Sequence, residues 1–212
     1  MNVIDLTLTV RHGMRGVAFE TATTVAREGW NARTLHLYSH SGTHMDAPLH
    51  FDVDDQTIDE IPLSKCIGKA WIVNLLDLPP KAPITVDHLG SVALQHQPGD
   101  GLLLHTGWSR HVDQPDYYRD QFAPISPELA HWMVDHQVRM VGVEPPSVGD
   151  VNDLPAVTQV HRILLGGGVI IVEGLTGLEQ LRGPTCTFGA MPLKIERGDG
   201  APCRAFAMDT VP

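Results

Sequence analysis

A short segment of the chain, residues 39–51, concentrates side chains that bind metal ions. It reads Ser-His-Ser-Gly-Thr-His-Met-Asp-Ala-Pro-Leu-His-Phe and contains His40, His44, Asp46 and His50. Imidazole nitrogens and carboxylate oxygens are ligands that zinc, manganese and iron accept. A solvated His-rich loop is the alternative, but three imidazoles and a carboxylate grouped around Gly and Pro favour a metal site.

Two residues of this segment favour a bent, non-helical backbone. Gly42 allows the chain to turn so that His40 and His44 can converge. Pro48 fixes the backbone after Asp46 and disfavours a helix through the site. Because Asp46 has two oxygens, it can bridge two ions, which two-metal hydrolases hold about 3.5–4 Å apart.

His161 and Glu173 are a second candidate pair of ligands. The first lies in a predicted helix and the second closes a predicted strand, on opposite sides of Gly166–Gly168. A helix-turn-strand unit of this kind can direct both side chains toward one point. Aromatic residues give large apolar contacts, so four of them are candidate substrate contacts, with plain core packing as the open alternative. They are Phe19, Trp30, Phe51 and Trp108.

The elements that must position these residues are predicted from hydrophobic periodicity and turn signals. Strands are predicted over 3–10, 33–39, 69–76, 101–106, 138–143, 169–172, 184–196 and 201–208. Helices are predicted over 85–96, from Ser126 to His136, and over 156–165, with polar loops over 11–31 and 109–125. Strands and helices do not alternate regularly enough for a Rossmann fold or a (β/α)8 barrel, so we expect a mixed α/β chain.

Size and charge limit the class of protein. With 212 residues and 23.2 kDa, the chain is expected to form one domain, residues 1–212, with a sizeable core. The formal net charge of −10 disfavours nucleic acid and anionic membrane surfaces as partners. We therefore expect a small-molecule substrate, no nucleic acid partner and no membrane partner.

The sequence shows no segment that suggests export or membrane insertion. It has neither a charged start followed by an apolar stretch nor an apolar run of about 18 residues. Cys66, Cys186 and Cys203 form no C-x-x-C pair, which indicates reduced thiols. We therefore expect a cytoplasmic protein.

The segment from His40 to Phe51 resembles the signature of the cyclase family of metal-dependent hydrolases, which includes bacterial kynurenine formamidase and isatin hydrolase. The likeness extends over about residues 2–208. Its further segments are Leu104–Trp108, Val141–Ser147, His161–Leu165 and Ile171–Leu175. One position departs from the family pattern, because Glu144 stands where the family usually has Asp.

The resemblance implies roles for the candidate residues. The implied ligands are His40, His44 and Asp46 for one divalent ion, zinc or manganese, and Asp46, His161 and Glu173 for a second. His50 is the implied catalytic acid/base. The family also implies a swivelling β/β/α fold, with a curved β-sheet or barrel flanked by helices, and a homodimer or homotetramer.

The implied activity is hydrolysis of a small amide, foremost the arylformamidase reaction that converts N-formylkynurenine and water to kynurenine and formate. Kynurenine formamidases usually carry a Trp-Pro-Gly-Asp type stretch after the first strand, where residues 11–20 of this chain read Arg-His-Gly-Met-Arg-Gly-Val-Ala-Phe-Glu. An isatin-like lactam, or another cyclic amide or lactone, is therefore an open alternative substrate.

Two other classes of protein fit part of the pattern. His44-x-Asp46 with a distant His resembles the 2-His-1-carboxylate triad of non-haem iron oxygenases. A non-catalytic metal-binding module is the other, although structural zinc sites usually have closed Cys/His sets. The additional His40 and His50, together with the carboxylates, favour the hydrolase.

Overall fold

A β-sheet that closes on itself is the centre of the fold. The computed structural model describes residues 2–209. The strands are β1 (Asn2–Asp5), β2 (Val17–Thr23), β3 (Ala32–Leu37), β4 (His44–Asp46), β5 (Ile67–Asn74), β6 (Gly101–His105), β7 (Met140–Val143), β8 (Ile170–Glu173), β9 (Thr185–Pro192) and β10 (Gly200–Asp209). The sheet order is β1-β10-β4-β8-β7-β6-β5-β9, and β10 also pairs with β9. Seven strands thus close a barrel.

The barrel has a parallel part and an antiparallel part. Strands β5, β6, β7 and β8 pair in parallel, whereas β4, β9 and β10 form antiparallel pairs. Helices flank the parallel part, as expected for strands that are covered on both faces. They are α1 (Val25–Glu28), α2 (Val92–Gln95), α3 (Pro115–Asp120), α4 (Pro127–Asp135) and α5 (Leu154–Gly166), of which α4 and α5 are the longest. The predicted mixed fold, a curved sheet or barrel flanked by helices, is confirmed.

Alternation along β6 separates two apolar cores. Leu103 packs inside the barrel with Phe188 of β9, whereas Leu102 and Leu104 pack with Leu129 of α4 and the other outer helix. All of these side chains are fully or almost fully buried. A strand that is buried on both faces reads as a continuous apolar run, which is why β6 is recognisable from sequence.

Each of the two long helices begins directly after a residue whose side chain caps its first turn. Ser126 accepts a hydrogen bond from the Leu129 amide at the start of α4, and Asp153 accepts one from the Ala156 amide at the start of α5. Such caps satisfy amides that have no partner inside the helix. After α5, Gly168 adopts a positive φ and the chain enters β8. The predicted helices from Ser126 and over 156–165 are confirmed.

Two predicted elements near the start of the chain differ from the structure because local signals misled. The strand predicted over 3–10 ends at Asp5, since Leu8 donates its amide to the Thr43 hydroxyl instead of to a strand. The predicted loop 11–31 contains β2 and α1, and β2 pairs with β3 in a hairpin. Because the hairpin is largely exposed, its sequence lacks the apolar alternation of a buried strand.

Helix 85–96 and loop 109–125 are the other corrections. Gly90, with φ 52° and ψ −128°, separates a 3-10 helix at Val86–Leu89 from the short α2. The supposed surface loop holds α3 and buries Tyr118 and Phe122 in a small apolar cluster.

Other sequence expectations concern thiols and membrane insertion. Cys66, Cys186 and Cys203 are buried free thiols, as predicted. Over the part of the chain that the structure describes, no helix has the length and apolarity needed to cross a membrane.

Candidate metal centre

The acidic and imidazole side chains predicted from sequence meet at one edge of the barrel. Strand β4 lies between β8 and β10, and its pairing register sets His44 opposite Glu173 and Asp46 opposite Gly200. Helix α5 adds His161 from outside the barrel. We call the following six residues the candidate metal centre: His40, His44, Asp46, His50, His161 and Glu173.

Glu173 joins the two parts of the centre that are distant in sequence. Its Oε2 lies 3.1 Å from His44 Nε2, and its Oε1 lies 3.3 Å from His161 Nε2. Both imidazoles also face Asp46, with His44 Nε2 3.6 Å from Oδ1 and His161 Nε2 3.7 Å from Oδ2. These four side chains are almost fully buried, so they form one compact group.

His40 and His50 complete the centre on the other side of Asp46. His40 Nδ1 lies 2.9 Å from Asp46 Oδ1, and the two histidine rings stack with centroids 3.8 Å apart. Two sets of residues have possible ligand atoms within 4.8 Å of one another, His40, Asp46 and His50 in one, and His44, Asp46 and Glu173 in the other. Asp46 is common to both sets, as expected of a bridging ligand. The family-based grouping had instead joined His44 with His40.

Backbone carbonyls fix the orientation of two imidazoles. His44 Nδ1 lies 3.0 Å from the Gly42 carbonyl, and His161 Nδ1 lies 2.7 Å from the Val157 carbonyl. A carbonyl only accepts, so each Nδ1 carries the hydrogen and donates it. Each Nε2 then faces Asp46 and Glu173: it donates a hydrogen to them when the ring is protonated, and once deprotonated it would offer its lone pair to a metal ion there.

The donor set fits a divalent cation. Asp46 Oδ2 is buried and accepts no hydrogen bond from the described residues. An unpaired buried carboxylate oxygen is costly in free energy unless a cation or donor meets it. Imidazole nitrogens and carboxylate oxygens surround this atom, and such ligands suit divalent ions.

The charges within the metal-free centre shift the pKa values of its imidazoles. Burial would lower the pKa of His40, but hydrogen bonds and charges from Asp46 and Asp199 raise it to about 9. Burial would also lower the pKa values of His44 and His161, but hydrogen bonds with the Glu173 carboxylate and its negative charge outweigh burial and raise both values. The cluster thus attracts positive charge.

The pKa values of Glu173 and His50 are lowered instead. Burial would raise the pKa of Glu173, but hydrogen bonds with His161 and His44 hold it well below its usual range. For His50, burial dominates and lowers the pKa. His50 is therefore the imidazole of the centre that most readily stays neutral.

A cavity of about 550 Å³ opens onto the centre. His40, His44, His50, His161 and Glu173 all contribute to its walls. Of the four predicted aromatic contacts, only Phe51 lines this cavity within residues 2–209. Tyr118, which the sequence analysis did not single out, also lines it, because the supposed surface loop 109–125 folds against the site.

The other three aromatic candidates lie elsewhere. Trp108 is buried in the apolar cluster with Tyr118 and Phe122, and its indole N–H donates to the Tyr118 carbonyl. Phe19 and Trp30 belong to the hairpin region, and the Trp30 residue is 60% exposed. Trp108 thus supports the cavity wall from behind, and the hairpin pair does not reach this cavity.

Glu144, the departure from the family pattern, has a well-defined structural environment. It is fully buried at the end of β7 and accepts hydrogen bonds from the Thr106 hydroxyl, the Gly107 amide and the Ser109 hydroxyl. Its backbone carbonyl accepts a hydrogen bond from the Tyr118 hydroxyl at 2.6 Å. Glu144 therefore ties the loop after β6 to the cavity wall.

Sequence reasoning missed one acidic residue at the centre. Asp199, in the turn before β10, places Oδ2 3.0 Å from His40 Nε2 and 3.7 Å from His50 Nδ1. Nothing in the local sequence signals this contact, because the partners are far apart along the chain.

Known proteins resemble this chain both in sequence and in fold. The Cyclase family model matches residues 4–150. Kynurenine formamidase of Salinibacter ruber is 37% identical over 182 residues, which cover 84% of this chain and 80% of that protein.

Two solved structures resemble the whole described chain. An isatin hydrolase bound to the product analogue thioisatinate superposes with a TM-score of 0.85 at 19% identity, over 97% of this chain and 91% of that one. A potential metal-dependent hydrolase with cyclase activity gives a TM-score of 0.80 at 27% identity, over 100% of this chain and 99% of that one. Because the family model matches more than half of the chain and the Salinibacter ruber relative is 37% identical, the chain belongs to the Cyclase family of metal-dependent hydrolases.

Proposed function

We propose that this protein is a metal-dependent hydrolase that cleaves the C–N bond of an aryl formamide, with N-formylkynurenine as the foremost substrate. One observation carries the proposal: four imidazoles and Glu173 line a cavity, and behind them the buried Asp46 Oδ2 accepts no hydrogen bond from residues 2–209. The kynurenine formamidase relative supports the substrate class, and the resemblance to an isatin hydrolase supports the alternative of a cyclic amide.

The candidate metal centre would hold one or two divalent ions, zinc or manganese. His44, Glu173 and His161 would bind on one side of Asp46, and His40 would bind on the other. When bound, a divalent cation supplies a Lewis acid that polarises a carbonyl and lowers the pKa of water. The chain's own residues then have to move protons and hold the substrate.

His50 is the proposed acid/base. All three of His44, His50 and His161 line the cavity, but the His50 side chain is 24% exposed and the other two are only 2–3% exposed, so His50 is the one best able to reach a substrate. An imidazole takes the proton of the attacking water and passes it to the leaving nitrogen. The C–O bond forms, the C–N bond breaks, and the products are a carboxylic acid and an amine.

Charges at the cavity favour an amino-acid substrate over a neutral one. Arg15 and Asp116 line the cavity, and Arg15 forms no ion pair with the described residues. The guanidinium can bind a carboxylate, and the aspartate can bind an ammonium group. Phe51 and Tyr118 offer aromatic surface for an aryl ring. N-formylkynurenine carries all three groups, whereas isatin carries neither charge.

The direct test is formate release from N-formylkynurenine by zinc- or manganese-loaded protein, with chelated protein as the control. Metal-dependent turnover supports the arylformamidase. Turnover of isatin alone would favour the cyclic-amide alternative, and iron-dependent oxygen uptake would favour an oxygenase. Chelation that unfolds the chain, with no turnover of any substrate tested, would favour a structural metal module.

Arg15→Ala separates the substrate classes more finely. We expect a higher KM for N-formylkynurenine and an unchanged KM for formanilide, a neutral aryl formamide, because only the first has a carboxylate. Equal effects on both substrates would contradict carboxylate recognition by Arg15. The predicted homodimer or homotetramer stays a prediction, which light scattering of the purified protein checks.

A further inference from the structure

Asp199 lies outside the predicted ligand set, yet it contacts two imidazoles of the candidate metal centre. Its Oδ2 is 3.0 Å from His40 Nε2 and 3.7 Å from His50 Nδ1. The side chain is 44% exposed and lines neither barrel core. Its contacts are polar: besides the two imidazoles of the centre, it accepts a hydrogen bond from the Ser39 side chain.

The backbone around Asp199 fits closely against the centre. The Asp199 carbonyl accepts a hydrogen bond of 2.9 Å from the amide of Ala47, the residue that follows Asp46. A Cβ atom added at Gly200 would lie 2.7 Å from His40 Cε1. Glycine is therefore needed at position 200 so that the His40 ring can lie against the turn and reach Asp199.

His40 differs from the other candidate imidazole ligands in what holds its second nitrogen. Backbone carbonyls hold Nδ1 of His44 and of His161, so those orientations depend on the fold alone. For His40, the nitrogen that faces away from Asp46 is Nε2, and a side-chain carboxylate meets it. A carboxylate in this place fixes the tautomer of a ligating histidine and increases its basicity.

We propose that Asp199 is a positioning residue, which accepts the Nε2 hydrogen of His40 so that the Nδ1 lone pair faces the metal position beside Asp46. The proposal rests on the proposed metal-dependent function and names a residue that this function did not include. Because the same carboxylate oxygen lies near His50, Asp199 also holds the stacked His40 and His50 rings in place.

Three variants test the proposal. Asp199→Ala removes the acceptor, and we expect zinc affinity to fall about 10- to 100-fold, the range found when such partners are lost. Asp199→Asn keeps an acceptor oxygen and is expected to restore most of the affinity. Glu196→Ala is the matched control, because it removes an exposed carboxylate from the same turn without touching the centre.

Zinc affinity is measured by competition with a chromophoric chelator, and circular dichroism checks that each variant is folded. A second readout is the nitrogen NMR spectrum of zinc-loaded protein with labelled histidine, in which His40 should show a protonated Nε2 in the wild type and in Asp199→Asn. A general structural defect would not change one tautomer selectively.

The outcomes separate this proposal from the proposed function. Zinc affinity of Asp199→Ala equal to that of wild type and Glu196→Ala would overturn the positioning role while the metal centre stands. Equal losses in Asp199→Ala and Asp199→Asn, or a His40 protonated at Nδ1, would also overturn it. A wild-type protein that binds no zinc or manganese would overturn the metal-dependent function and the positioning role together.

Discussion

Asp46 on β4 and Glu144 directly after β7 are two buried carboxylates of the barrel, separated by strand β8, and their surroundings are opposite. Glu144 is fully buried, and neutral donors on the loop 106–109 hydrogen-bond to both of its oxygens. Asp46 is 1% exposed and faces three imidazoles, and no residue in the described part of the chain donates a hydrogen bond to its Oδ2. One carboxylate is satisfied by the fold, and the other requires something that the fold does not supply.

The difference distinguishes a structural carboxylate from a binding carboxylate. A buried charge that receives several hydrogen bonds stabilises the loop that provides them. A buried charge that lacks hydrogen-bond donors lowers stability, and natural proteins keep such destabilising features chiefly at functional sites. Substitutions at the two positions should therefore affect different properties of the protein.

The largest effect is expected for Asp46→Ala. Because Asp46 belongs to both possible ligand sets, the variant should lose all bound metal, and kcat/KM should fall about 10⁴-fold or more, as for groups on which a whole site depends. Metal analysis after dialysis, with assays of formate release, checks both. Retention of one full equivalent of metal would argue against a bridging role.

His50→Ala should separate binding from catalysis within the centre. We expect unchanged metal content and a kcat about 10²- to 10⁴-fold lower, the usual range for loss of an acid/base. Loss of metal in this variant would instead make His50 a ligand, as its place beside His40 and Asp46 allows.

Metal should stabilise the protein through Asp46 and independently of Glu144. At a free zinc concentration of about 100 times Kd, the free energy of unfolding should rise by about 2.7 kcal/mol relative to chelated protein. Thermal unfolding with and without zinc measures the shift. The shift should vanish in Asp46→Ala and persist in Glu144→Gln; the reverse pattern would undo the distinction between the two carboxylates.

Glu144→Gln should lower stability and leave metal content unchanged. Whichever way the new carboxamide is oriented, its NH2 group faces a backbone amide, that of Gly107 or that of Ser109, which cannot rotate away. We expect the free energy of unfolding to fall by about 1–3 kcal/mol, the cost of leaving a buried polar group unpaired. Urea titration of the chelated protein measures this. Unchanged stability with loss of metal would assign Glu144 to the metal centre.

The smallest effect concerns Asp100, a third carboxylate, which has a cationic partner. Burial would raise its pKa, but hydrogen bonds from Lys69, Trp71 and Gln97 lower it below the usual 3.8. Its contribution to stability is therefore present above about pH 4 and is lost as the pH falls through the lowered pKa. The free energy of unfolding of Asp100→Asn, measured by urea titration at several pH values, should therefore fall less steeply below about pH 4 than that of the wild type. An equally steep fall in the variant would contradict the lowered pKa of Asp100.

Sequence reasoning identified what is local and missed what depends on long-range packing. The segment 39–51 and the pair His161 and Glu173 were recognisable because ligand types and turn residues lie close together. Asp199 was not, because its contact with His40 exists only after β10 pairs with β4. Tyr118 was also missed, since polar neighbours hide a residue that the fold buries.

The position of β4 has a consequence for how the protein folds. Within the described residues, this three-residue strand pairs with β8 and β10 alone, and both follow it by more than a hundred residues. Pairings so distant in sequence form late, because chain closure must precede them. The ligands on β4 cannot meet their partners until the barrel closes, so the onset of zinc binding during refolding would report closure itself.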